Sequence, residues 1–218
     1  MFAKKFTICT IFTKQPLFTQ QLLLSTLTKQ PDSIAKLKEY FTQNKTIKKE
    51  NQLDRYIKHN APPEILKLVK LHGGPSLGTE CEKIAKHFFD MLKYRLGPGH
   101  DHFIDVNGKI IKVEQKSSTV IKKSSKILFS SDFLWQHIEP YNLWDVLLFC
   151  AVDYDGIKFY MMTKDDFFTL ILQGKITKQG GKNSYQGYWT KYSKIKDSIV
   201  QINNSEDIEK FIKNANKF

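Results

Sequence analysis

The chain has 218 residues, enough for one well-buried domain with a small extension but short for two full domains. A hydrophobic fraction of 41% suits a globular core, and no apolar run approaches the roughly 20 residues of a membrane span, so no membrane partner is expected. The net charge of +12 calls for an acidic partner; three scattered cysteines (Cys9, Cys81, Cys150) argue against a disulfide framework or a cysteine zinc site and fit a reducing, cytoplasmic compartment.

Taken in order, residues 19–27 and 33–44 read as helices separated by the turn chemistry of Gln30-Pro31-Asp32. Further helices are expected over 53–60 and 63–71, the second closed by Gly73-Gly74-Pro75. Residues 1–75 hold 13 Lys or Arg against 5 Asp or Glu, which suits a basic helical extension or subdomain holding phosphates beside a body at 76–218. That body opens on a helix over 79–92, with Ile84, Phe88 and Leu92 at helical spacing. Strand-like runs follow at 100–106, 109–116, 126–130, 146–152 and 157–162, then a helix at 164–172 and a terminal helix at 206–214 with Ser205 as its cap. Helix, hairpin, then mixed strands and helices predict an α/β or α+β fold around a mixed sheet.

Asn107-Gly108 between two β-rich runs is a strong signal for a two-residue type I′ hairpin. That turn sets Val106 opposite Lys109, Asp105 opposite Ile110 and Asp101 opposite Glu114. Alternation puts His102, Ile104, Val106, Ile111 and Val113 on a mostly apolar face, and Asp101, Phe103, Asp105, Ile110, Lys112, Glu114 and Lys116 on the other. Two carboxylates ~5 Å apart repel, and a bound cation removes that cost. Magnesium commonly takes one or two carboxylates with phosphate and water. Lys116, ~7 Å farther along the strand, reaches a phosphate or an attacking water. Two oxygen ligands and one cation on a single face are the set that metal-assisted phosphodiester hydrolysis needs.

Asp101 followed by Val113-Glu114-Gln115-Lys116 resembles the signature of the PD-(D/E)XK nuclease superfamily, which includes type II restriction endonucleases, junction resolvases and mismatch-repair nickases. The Pro that often precedes the Asp is displaced to Pro98, with His100 in the adjacent place, and the likeness runs from about Thr79 to Met162. The resemblance implies a restriction-endonuclease-like core, a mixed central sheet flanked by helices, with the helical N-terminal extension added. It implies one or two Mg2+ ions, metal ligands Asp101, Glu114 and Gln115, and catalytic roles for Asp101, Glu114 and Lys116. Glu80, or Glu82 in its place, matches a supporting acid on the preceding helix, and Asp105 is the rival for the first aspartate. The expected activity is sequence-specific cleavage of double-stranded DNA in a restriction-modification setting, by a homodimer or a monomer. The alternatives are a repair or recombination nuclease and a DNA-binding protein that does not cut.

Beyond the hairpin, Lys178, Gln179, Lys182, Asn183 and Gln186 lie in a glycine-containing segment with Tyr185, Tyr188, Trp189 and Lys191. Amides and lysines of this kind read base edges or neutralise phosphates, so the segment is a DNA-contacting candidate, with a plain surface hairpin as the alternative. His137 and Ser117 are further DNA-facing candidates. His100 and His102 form an HxH pair with no second ligand pair at zinc spacing.

Overall fold

The computed structural model describes residues 51–71, 75–94, 99–121, 132–181 and 184–215, all within one compact unit, Glu50–Phe218. The expected helices at 19–27 and 33–44, the strand at 126–130, and Lys182 and Asn183 lie outside the described residues.

Helices α1 (Gln52–Lys58) and α2 (Pro63–Val69) come first. Their buried Tyr56, Ile65, Leu68 and Val69 join the core shared with the rest of the unit, although the sequence assigns them to the extension. Tyr56 shows how: its hydroxyl donates to the Val152 carbonyl and accepts the Val120 N–H at 2.9 Å, fixing α1 to the end of one main-sheet strand and to the residue just past another. Burial pushes that phenol well above its ordinary range, so it stays a neutral donor.

Helix α3 (Pro75–Phe88) starts earlier than its periodicity predicts, because a proline is accommodated in the first turn of a helix rather than ending one. Its phase also differs. Leu77, Cys81, Ala85 and, just past the end, Phe89 are buried, while Phe88 is 55% exposed. The inward stripe therefore runs one residue away from the expected Phe88 position.

The main sheet has the order β1-β2-β3-β5-β6-β9, formed by Lys93–Tyr94, His102–Val106, Lys109–Thr119, Val146–Val152, Ile157–Thr163 and Val200–Ile202. It is mixed: β3 and β5 are parallel, and the other neighbours antiparallel. Strand β5 is buried along its whole length, as expected for a central strand covered on both sides. A small antiparallel sheet, β4-β8-β7 (Leu134–Ile138, Tyr188–Lys191, Thr177–Lys178), lies against one face. Buried Trp135 of β4 joins the layers, with its ring 4.5 Å from Phe149 and its indole N–H on the Cys150 carbonyl at 3.2 Å.

Helix α4 (Lys164–Leu172) spans the predicted residues, capped by Thr163, whose hydroxyl accepts the Asp166 N–H at 3.1 Å. The short α5 (Tyr192–Ile195) follows β8. In α6 (Ser205–Asn214) the cap is Asn204, not the expected Ser205, because extended Asn204 offers its side-chain oxygen to Asp207 N–H at 2.9 Å. Among the described residues no helix is long and apolar enough to cross a membrane.

Candidate active site

The β2–β3 ladder has the expected register: Val106 faces Lys109, Asp105 faces Ile110 and His102 faces Val113. Asn107 and Gly108 have φ of 54° and 83°, the two positive values a type I′ turn requires. Alternation then divides the side chains. Ile104, Ile111, Val113, His102 and Gln115 are buried on one face, where His102 Nε2 meets Gln115 Oε1 at 3.0 Å. Helix α3 covers this face, where its buried Cys81 lies beside Ser117 and the buried Cys150. Glu114, Lys116 and Ser118 project from the opposite face, toward β4, whose Leu134 N–H reaches Ser118 Oγ at 3.0 Å.

Asp101 departs from the expected direct opposition to Glu114. The strand begins at His102, and the Asp101 N–H donates to the carbonyl of Val113, the residue that already faces His102. Two residues thus address one, as in a β-bulge, and the aspartate is re-aimed along the edge of β3. Its Oδ2 accepts the Gln115 N–H at 2.7 Å. Because the N–H and C=O of one strand residue point the same way, the Gln115 carbonyl also faces the Asp101 side.

Glu114 and Lys116 form an ion pair at 2.6 Å, with side chains 10% and 20% exposed. Burial raises the Glu114 carboxyl above its ordinary range; Lys116 pulls against that rise and the charge of Asp101 adds to it. The carboxylate pair, one buried and one at the sheet edge, with a cation against the first, is the electrostatic unit of the site. Among the described residues no group of three His, Cys, Asp or Glu is placed to hold a metal. A hard cation there would use Asp101, Glu114 and the Gln115 carbonyl, an all-oxygen set suited to magnesium, which leaves remaining positions to phosphate and water. The Gln115 side chain is turned away, bonded to His102 and, at 3.4 Å, to Ser117.

The other expected residues are dispersed. Glu80 in α3 pairs with Lys83 at 3.2 Å and is 42% exposed, and no described hydrogen bond or ion pair brings it to Asp101 or Glu114. Ser117 sits on the helix face, away from Glu114. His137 is exposed in the small sheet at φ 56°, its N–H bonded to Gln179 Oε1 at 3.0 Å. Gln186 is exposed, its N–H on the Gln179 carbonyl at 3.1 Å, and Lys178 lies over the Tyr185 ring at 5.3 Å. Sequence reasoning passed over Gln136, and placed Trp189 and Lys191 in the DNA-contacting segment without choosing them as site residues. The three line a groove with Lys178 and Gln179, and only strand pairing brings residue 136 beside 189.

No family model matches the chain, and no curated protein matches it. Among solved structures, a bacterial homing endonuclease is similar at 22% identity with a TM-score of 0.31, over 44% of this chain and 70% of that one. A likeness of that size carries no argument, and the functional reading rests on the hairpin.

Proposed function

We propose that the chain is a magnesium-dependent DNA endonuclease of the PD-(D/E)XK kind, cutting double-stranded DNA in the manner of a type II restriction enzyme. The observation that carries this reading is the β2–β3 hairpin. It gathers Asp101, Glu114 and Lys116, with a partly buried Glu114–Lys116 pair at 2.6 Å and the Asp101 carboxylate held on the Gln115 N–H at 2.7 Å. The net charge of +12 supports a polyanionic substrate.

In this reading each side chain has a defined task. Asp101, fixed by a main-chain donor, and Glu114 hold the cation with the Gln115 carbonyl. When bound, the divalent ion supplies Lewis acidity and offsets the charge that builds on the phosphate. Lys116, already anchored beside Glu114, presents an ammonium to the attacking water or to a phosphate oxygen as negative charge develops. The partial burial of the pair strengthens these interactions by limiting solvent screening.

The test is incubation of plasmid and phage DNA with the purified chain in magnesium or in EDTA, beside Lys116→Ala. Discrete fragments with magnesium, lost in EDTA and in the variant, are the expected result. DNA left intact under every condition would overturn cleavage of unmodified duplex, and fragments persisting in EDTA would overturn the metal.

A further inference from the structure

The small sheet carries a groove of about 420 Å³ lined in part by Gln136, Lys178, Gln179, Trp189 and Lys191. Its wall is irregular. The β4–β8 ladder passes from Trp135 opposite Thr190 to Ile138 opposite Tyr188, so Gln136 and His137 together face Trp189 alone. His137 takes a positive φ, uncommon outside glycine, and its N–H is held by Gln179 Oε1. Bulges of this kind bend a strand and re-aim its side chains, and here the bend is at the groove.

Donors dominate the lining. The Lys178 and Lys191 ammoniums and the Trp189 indole N–H donate only. The acceptor oxygen of Gln179 is engaged by His137, leaving the amide NH2 as its other hydrogen-bonding end. Among the described residues no Asp or Glu lines the groove, and Lys194 adds a third cation 5.3 Å above the half-buried Trp189 ring. A ligand fitting this lining brings negative charge, acceptor oxygens and a flat or apolar group. A nucleotide within a strand has all three.

We propose that this groove binds one strand of DNA, with Lys178, Lys191 and Lys194 on its phosphates and Trp189 against a sugar or base. The inference rests on the reading of the chain as a DNA nuclease and assigns part of its grip to residues that do no chemistry. The test titrates a fluorescein-labelled DNA duplex with the full chain in EDTA, so that binding is read without cleavage, over a series of salt concentrations. The double variant Lys178→Ala/Lys191→Ala is expected to bind about tenfold more weakly, with a slope of log affinity on log salt shallower by about two. Lys213→Ala, on the terminal helix and not among the groove-lining residues, binds as the parent chain does, and circular dichroism and melting verify that each variant is folded.

A second measurement uses tryptophan emission. Trp135 and Trp144 are buried, so emission changed by added DNA reports Trp189 and is lost in Trp189→Phe. An unchanged affinity and salt slope in the double variant, or emission that DNA leaves unmoved, overturns the groove. The two readings fail separately. DNA that stays intact in magnesium while the double variant loses binding removes the nuclease and keeps the groove. Cleavage together with full binding by the double variant does the reverse.

Discussion

The hairpin β2–β3 and the small sheet β4-β8-β7 are both antiparallel ladders with one irregularity, yet they collect opposite chemistry. At the hairpin, the departure at Asp101 brings a carboxylate to the edge of β3, beside a second carboxylate that burial has raised. At the small sheet, the bulge at His137 sits beside a lining of lysines, indole and amide. The first arrangement is offset only in part by Lys116 and the Gln115 N–H and suits a further cation, whereas the donor-rich second suits an anion. Under the proposed function the contrast separates two jobs: reactive groups gain from a dry setting, whereas phosphate grip tolerates water and shows as salt dependence.

The comparison breaks most visibly at Lys116. Lys116→Ala is expected to lower cleavage by about 100- to 1,000-fold, the range for removing one group that stabilises developing charge. DNA affinity measured in EDTA should stay close to the parent value. Glu114→Gln should do the same and also abolish magnesium dependence of binding. In the parent chain, cleavage should rise with pH through a midpoint above the ordinary 4.5 of a glutamate, because Glu114 must lose its proton to hold a cation and its carboxyl is raised. Because a bound cation itself pulls a carboxyl pKa down, the profile is read at limiting magnesium, and the same profile in Glu114→Gln would remove Glu114 from that role.

Gly187 sharpens the other half. It has φ +80°, and an added Cβ would lie 2.7 Å from the Ile138 carbonyl oxygen, beside the bulge. Gly187→Ala should destabilise the unit by more than about 1 kcal/mol, since the left-handed conformation alone costs an L-residue that much. At temperatures where the variant remains folded, DNA binding should fall more than the magnesium response of the hairpin. Equal loss of both would mean that the sheets are energetically one element. Asn107→Ala is expected to be milder, about 1 kcal/mol in chemical denaturation, because asparagine tolerates the positive φ of the turn better than alanine does.

The sequence was legible where a local rule determines geometry. Asn107-Gly108 set the turn, the turn set the register, and the register brought out Glu114 and Lys116 with no long-range information. Strand β5 and helix α4 lie where the sequence placed a strand at 146–152 and a helix at 164–172, and the structure adds the Thr163 cap that opens the helix. Prediction failed where tertiary contacts override the pattern. Asp101 leaves the alternation because Val113 accepts two partners, and α3 buries Cys81 and Ala85 instead of Phe88 because the sheet selects its face. Strand β4 was missed because Gln136-His137 breaks a period of two within five residues, and β7 and β9 are too short to carry any period.

The smallest expected effect concerns His102, on the helix-covered face of the hairpin. Burial lowers its pKa below 6.5, with Lys86 and His100 acting in the same direction, while the bond to Gln115 and the charge of Asp101 oppose the shift. A base whose folded pKa is depressed binds its proton more readily when unfolded. Its contribution to stability is therefore complete above 6.5 and is lost as pH falls through the folded value. Melting temperature should drop across that acid window, and His102→Gln, which cannot protonate, should flatten the drop. Because Gln115 joins the His102 face to the main chain that holds Asp101, acidification should also loosen the aspartate before the groove responds. Hydrogen exchange of the Gln115 amide against that of His137 reads this order, and earlier loss of protection at His137 would contradict it.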